Sequence, residues 1–256
     1  MTPICLFLLF LSWTAIPAGA IDDEIPIEEL DTSQTIARAN DGIETLLVHG
    51  DIVPSTQRNA DPCVKTGCKW FKRGGIVRVP VAISSAYTRA ERNIIIKGLV
   101  TFHRSTCIRF VWRRRQRQYL HFFSGTGCWS YLGRQRTGQP VSLKKNGCLY
   151  TDTVQHEVLH ALGFHHEQVR SDRDDYVNIL SENILPGMAR NFEKQPTNNL
   201  GTPYDFDSVM QYSKYAFSSN GEPTITSKDD PELEFGRVTE MSKNDIARVN
   251  ALYECS

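Results

Sequence analysis

The eleven residues from His156 to His166, His-Glu-Val-Leu-His-Ala-Leu-Gly-Phe-His-His, constrain this chain more than any other feature. Histidines four residues apart on a helix share one face, with Cβ atoms about 5 to 6 Å apart, so His156 and His160 can reach one ion. Gly163 takes a positive φ without steric cost and lets the chain leave the helix, bringing His166 back as a third ligand. Three neutral imidazoles leave one position of a tetrahedral zinc ion open, as a catalytic site requires. Glu157, beside the first ligand, then reads as the general base that takes a proton from the attacking water and returns it to the leaving amine. A bare H-E-x-x-H arises by chance too often to carry an assignment, whereas the added Gly163 and His166 make coincidence negligible. One Zn2+ per chain and hydrolysis of peptide bonds follow as expectations. His49, His103, His121 and His165 lack such spacing and read as ordinary surface or core histidines.

Around this motif the pattern is that of an α+β chain. Residues 153–162 are expected to be helical, with Asp152 as N-cap, Gln155 three residues later and Gly163 as the stop. Thr88 and Glu91 have capping-box spacing, and Ile95, Leu99 and Phe102 fall on one face of a helix reaching about residue 104. Ile76 to Ile83 alternates as a strand, with Pro80 arguing for a sheet edge. Ile108 to Trp112, Tyr119 to Phe123 and Val141 to Leu143 are further strand candidates, separated by the glycine-rich stretch 125–138. Residues 170–235 read as loops and short elements, and a last helix is expected over 243–252. No repeat or low-complexity linker appears.

The N-terminus adds a destination. An apolar run from Ile4 to Ile16, then Pro17 and Ala18-Gly19-Ala20, has the form of a secretory signal ending at residue 20, too short to span a bilayer. Removing it takes away Cys5 and leaves six cysteines, Cys63, Cys68, Cys107, Cys128, Cys148 and Cys255. In an oxidising compartment these suggest disulfides, although 15 connectivities remain open. The net charge of zero hides an asymmetry: residues 1–58 hold nine acids and two bases, the remainder 20 acids and 27 bases. Residues 21–58 read as an acidic propeptide, and its removal leaves a cationic domain, 59–256, suited to anionic surfaces or substrates. Secretion disfavours nucleic acid as a partner despite Arg113, Arg114, Arg115 and Arg117.

The extended motif with Phe164 and Glu167, together with Ser208-Val209-Met210-Gln211-Tyr212, resembles the astacin family of metzincin metalloproteases over nearly the whole processed chain. By residue type alone Met210 reads as core filler and Tyr212 as a half-buried tyrosine. The resemblance implies instead that Met210 is the Met-turn residue beneath the metal and Tyr212 an additional zinc ligand that swings away to stabilise the oxyanion. It implies a two-lobed domain: an N-terminal lobe with a twisted, mostly parallel sheet and two long helices, and an irregular C-terminal lobe. It also implies disulfides Cys107–Cys255 and Cys128–Cys148, leaving Cys63 and Cys68 for each other. That short loop, and the stretches 170–174 and 201–205, are similar to fish hatching enzymes.

Astacin propeptides carry Phe-x-Gly-Asp, whose aspartate occupies the zinc site. Val48-His49-Gly50-Asp51 matches except at its first position, making Asp51 the implied switch. The resemblance further implies cleavage after Arg58, with the new N-terminus at Asn59 buried near Glu167. The resulting expectation is a monomeric, secreted zymogen, stored in secretory granules, whose substrates are egg-envelope or matrix proteins. An astacin-like protease of another tissue and a non-catalytic zinc-stabilised binding protein are the alternatives, and Glu157 argues against the second.

Overall fold

In a computed structural model that describes residues 31–43, 46–54 and 68–255, the hydrophobic runs assemble into two lobes with separate cores. The expected signal segment 1–20, Cys63 and the junction Arg58-Asn59 lie outside the described residues.

The first lobe is a seven-stranded sheet with helices. Its strands are β1 (Ile52–Val53), β2 (Lys72–Arg73), β3 (Ile76–Ile83), β4 (Ile108–Trp112), β5 (Tyr119–Phe123), β6 (Cys128–Tyr131) and β7 (Gly138–Leu143). They run in the order β1-β6-β7-β5-β3-β2, with β4 on the other side of β3. Four of the six pairings are parallel; β2–β3 and β6–β7 are antiparallel. Alternation along β3 buries Val77, Val79 and Val81, which join Leu120, Phe122, Val141 and Leu143 in one core. Helices α2 (Arg89–Ser105) and α3 (Thr151–Leu162) close that core with Ile95, Phe102, Val154 and Val158. Burying each such side chain contributes about 1.5 to 3 kcal/mol. α2 starts where expected: Thr88 accepts from Glu91 N at 3.3 Å while the Glu91 carboxylate accepts from Thr88 N at 2.6 Å.

The second lobe lacks extended structure apart from a two-stranded ribbon, β8 (Val177–Ile179) with β9 (Ile225–Ser227), and helix α4 (Lys243–Leu252). Its core gathers Val177, Ile184, Phe192, Tyr204, Tyr212 and Ile225. α4 packs back on the first lobe through Val249 and Leu252, and the Cys107–Cys255 disulfide fixes it there. Closing a loop of 148 residues removes about 5 kcal/mol of chain entropy from the unfolded state in the loop-closure account. Cys128–Cys148 pins β6 to the segment before α3, and Cys68 is disulfide-bonded too.

Three expectations need correction. Pro80 does not mark a sheet edge: β3 is paired on both sides, and the edge is β4. Proline is tolerated because, although Pro80 is in register with Val111 of β4, on the opposite side of β3 it falls between partners, after the pairing with β2 ends at Val77 and before that with β5 begins at Val81. Asp152 is not the cap of α3. The helix starts at Thr151 after Tyr150, and the Asp152 carboxylate accepts instead from Thr32 Oγ1 at 2.5 Å. Gln155 likewise turns to Met241 N and Thr101 Oγ1. The stretch 125–138 is not a mere separator, since it contains β6. Beyond these, the acidic segment before residue 58 holds a helix on which the sequence reading was silent, α1 (Thr32–Ala39), whose N-cap Asp31 accepts from Gln34 N at 2.7 Å. Among the described residues no helix is long and apolar enough to cross a membrane.

Candidate metal centre

α3 presents His156 and His160 one turn apart, their ring centroids 4.7 Å from each other. Gly163 ends the helix at φ 113°, and its N–H and that of Phe164 satisfy the Leu159 carbonyl left open by the last turn. The reversal delivers His166, whose ring centroid lies 4.7 Å from that of His160. His156 Nδ1 lies 2.8 Å from the Val209 carbonyl and His160 Nδ1 2.7 Å from the Phe164 carbonyl. A carbonyl only accepts, so these two Nδ1 atoms carry the protons and each Nε2 has its lone pair free. The three Nε2 atoms converge, with His156 3.1 Å from both His160 and His166.

Asp51, the residue before β1, enters this cluster from the N-terminal segment of the chain. Its Oδ2 stands 2.9 Å from His156 Nε2 and 3.2 Å from His166 Nε2, and its Oδ1 3.2 Å from His160 Nε2. All four ligand atoms lie within 4.8 Å of one another, fully enclosed. Burial opposes the Asp51 charge, yet the facing rings of His166, His160 and His156 hold its carboxyl well below the usual range. Two or more nitrogen lone pairs and a carboxylate aimed at one point repel unless a cation sits between them. Three imidazoles and an oxygen are the donor set of Zn2+.

The backbone around Asp51 explains how it gets there. Val48 and Ile52 exchange both backbone hydrogen bonds, at 2.8 and 3.0 Å, closing a tight loop with Asp51 near its tip. Gly50 has φ 82°, and a Cβ there would meet Tyr212 Oη at 2.8 Å, so side chain and conformation both demand glycine. The Val48 side chain, at the position where the family pattern has Phe, is 37 % exposed and contributes no part of this hairpin's backbone pairing. β1 then runs parallel to β6, with Ile52 opposite Ser130 and Val53 opposite Tyr131.

Glu157 is wholly buried, and neither carboxylate oxygen has a hydrogen-bond partner among the described residues. Burial, with the charge of Asp51 adding to it, raises its carboxyl well above the ordinary value. Tyr212 does not share its hydroxyl with the cluster in this structure. It donates to the His49 carbonyl at 2.5 Å while its ring lies 4.7 Å from that of His166. Burial, then Asp51, pushes the Tyr212 hydroxyl well up. Met210 is buried at the turn 208–212, and its carbonyl accepts from Glu167 N at 2.9 Å. Glu167 is held by Arg248 through both guanidinium nitrogens, by Arg170 at 3.1 Å and by Asp205 N at 2.8 Å.

Three contributors escaped the sequence reading. Arg248, four residues before the end of α4, meets Glu167 only through the fold. Asn40 joins α1 to both Gly50 and β6. Asp245 supports the turn 208–212 through Ser208 and Val209; the Ser242-x-x-Asp245 capping box announced its local role but not this second one.

The sequence profile of the astacin peptidase family matches residues 66–254. The chain belongs to the astacin family. High choriolytic enzyme 1 of Oryzias latipes is 42% identical over 262 residues, covering 98% of this chain and 97% of that protein. Low choriolytic enzyme of the same fish is also 42% identical, covering 93% and 89%. Among solved structures, that of high choriolytic enzyme 1, described as a hatching enzyme zinc-protease, aligns with a TM-score of 0.74 at 46% identity, covering 77% of this chain and all of that one. As an astacin-family protein this chain is a zinc metalloendopeptidase acting on proteins, and its α+β fold is that of the family.

Proposed function

We propose that this astacin-family endopeptidase is secreted as a zymogen, is held latent by its own residues 21–58, and digests egg-envelope protein once trimmed. The observation that carries latency is Asp51, whose carboxylate fills the space among His156, His160 and His166 where a substrate carbonyl and water would have to enter. The similarity to choriolytic enzymes across almost the full length supports the substrate class, and the apolar segment 4–16 supports export.

When bound by the three histidines, Zn2+ supplies Lewis-acid polarisation of the scissile carbonyl and acidifies water. Glu157 takes the proton of the attacking water and passes it to the leaving amine. Its environment suits a switch between those roles, because burial favours the protonated form and departure of Asp51 removes the charge that adds to that preference. The Tyr212 hydroxyl, released from the His49 carbonyl when residues 48–51 leave, turns to the developing oxyanion. Met210, buried at the turn 208–212, takes the role of the residue beneath the metal that the family resemblance implies. Withdrawal of β1 exposes the backbone of Ser130 and Tyr131, an edge on which an extended substrate can add as a strand.

Trimming after Arg58 places the Asn59 ammonium near Glu167. Arg248 and Arg170 already compensate the Glu167 carboxylate, so the terminus joins an existing ion cluster rather than relieving a lone buried charge.

The test compares the full chain, its Asn59-trimmed form, Asp51→Ala and Glu157→Gln on isolated egg envelopes and on a generic extracellular matrix. The expected result is activity in the trimmed enzyme with preference for envelopes, premature activity in Asp51→Ala, and zinc-loaded but inactive Glu157→Gln. Equal rates on envelope and matrix would remove the hatching role while leaving the protease. Full latency of Asp51→Ala would remove the switch.

A further inference from the structure

The charge of the chain is far more polarised than its halves suggest. Between Asp61 and Asp152 there are 18 Lys and Arg, and the sole carboxylate side chain is Glu91. From Asp152 to the end there are 18 Asp and Glu against nine Lys and Arg. Glu91 is itself engaged by Thr88 N and Lys145. The sheet lobe is therefore strongly cationic and the second lobe acidic.

Within the cationic lobe the arginines converge on a concavity. A groove of about 620 Å³ lies between the β2–β3 hairpin and the β4–β5 loop, lined by Arg73, Arg78, Arg117 and Arg136 and by no acidic residue. All four arginines are exposed, and none takes part in an ion pair among the described residues. The lining between them is apolar, from Ile76, Pro80 and Val111, and Phe71 stands 60 % exposed at the rim with the Arg134 guanidinium stacked 4.2 Å from its ring centre. Gln118 supplies an amide donor and acceptor, and Gln116, whose Oε1 already accepts from Arg114 N at 2.7 Å, offers its amide N–H groups.

We infer that this groove is a second substrate-binding site, outside the metal cleft, that takes an acidic stretch of the protein being cleaved. Four unpaired guanidinium forks attract carboxylates, bind them bidentately and speed encounter. The apolar lining fits side chains interleaved between those carboxylates, which a sulfated polysaccharide does not offer. The two glutamines match the backbone of a peptide. The groove is also wired to the cleft: Arg136 follows β6, the strand that β1 covers, by five residues, and between them Gly133 N donates to the His160 carbonyl at 2.7 Å. This reading rests on the protein-cleaving activity of the family and not on the hatching role.

The test uses the full chain and a fluorescein-labelled dodecapeptide of alternating Glu and Ala, with binding followed by anisotropy at 50 and 150 mM salt. Arg78→Glu/Arg117→Glu is compared with a charge-matched control in the second lobe, Lys228→Glu/Lys243→Glu, after thermal melting shows both folded. The groove variant is expected to raise Kd at least tenfold and the control less than twofold, with binding weaker at the higher salt. In the Asn59-trimmed enzyme, kcat/KM for a short neutral peptide should stay unchanged while KM for a protein carrying an acidic stretch rises. Equal loss in both variants would mean attraction to net charge alone and overturn the site. A heparin hexasaccharide that binds at the groove while the peptide does not would overturn the peptide assignment. A fall in neutral-peptide turnover would place the arginines in the cleft instead.

Discussion

Asn40 pairs with the backbone of Cys128 through both ends of its side-chain amide, Oδ1 accepting from Cys128 N at 2.7 Å and Nδ2 donating to Cys128 O at 2.8 Å. The same Nδ2 also donates to the Gly50 carbonyl at 2.9 Å. One buried side chain thus clips the end of α1, the loop that carries Asp51 and the first residue of β6. Replacing Asn40 by Ala removes three hydrogen bonds and leaves a buried Cys128 N–H unpaired, a cost of about 1 to 3 kcal/mol. The pro-segment should detach more readily, seen as faster cleavage of residues 31–54 by an added protease. An unchanged cleavage rate would show that the metal ligands alone hold the segment.

The Tyr212 hydroxyl donates to the His49 carbonyl here, whereas catalysis asks it to face the oxyanion, so Tyr212→Phe should have two separable effects. Loss of one buried hydrogen bond weakens the latch by about 0.5 to 1.5 kcal/mol. In the trimmed enzyme kcat should fall about 100-fold with zinc content unchanged. A variant with a weaker latch and full kcat would confine Tyr212 to latency.

What the sequence disclosed and withheld divides along local and long-range physics. His156, Glu157, His160, Gly163 and His166 were legible because helix periodicity and one left-handed residue determine their geometry within eleven positions. β6 was not, because Cys-Trp-Ser-Tyr is four residues long with only Cys128 and Ser130 turned inward, and its identity as a strand comes from β7 and from β1 some 78 positions earlier. Asp152 has the right chemistry for a cap, but a hydroxyl 120 residues away claims it. Glu167 was singled out only through the family resemblance, and its arginine partners depend on where α4 docks.

Asp31, the cap of α1, offers a pH test. Burial raises its carboxyl to about 6, against weaker lowering by the Gln34 N–H and by Arg237, and its Oδ2 is buried without a partner. The folded state therefore holds a proton that the unfolded chain, near pKa 3.9, releases. Stability from this group is complete below about pH 4 and is lost as pH rises through about 6; the gap between the two states sets an upper bound of about 3 kcal/mol. Asp31→Asn keeps the capping oxygen and cannot ionise. The stability difference between variant and parent should thus grow from pH 4.5 to pH 7.5 in favour of the variant, as measured by denaturant melts at each pH. A constant difference would show that Asp31 is ionised in the folded protein throughout.

Asp245 connects the start of α4 to the metal centre. Its Oδ1 accepts from Ser208 Oγ at 2.6 Å, and its Oδ2 from Val209 N and Ser242 N, both at 3.0 Å. The carbonyl of that same Val209 accepts the His156 Nδ1 proton at 2.8 Å, so the carboxylate fixes the residue whose carbonyl orients a ligand. Partners of this kind typically control about 10- to 100-fold in metal affinity. Asp245→Ala should therefore raise the zinc dissociation constant by about that factor in chelator competition, beyond any loss of melting temperature. Asp245→Asn, which retains one accepting oxygen and faces a Ser208 hydroxyl free to rotate, should recover most of the affinity. Equal zinc affinity in all three proteins would mean that His156 is held by the turn itself and that Asp245 serves only to cap α4.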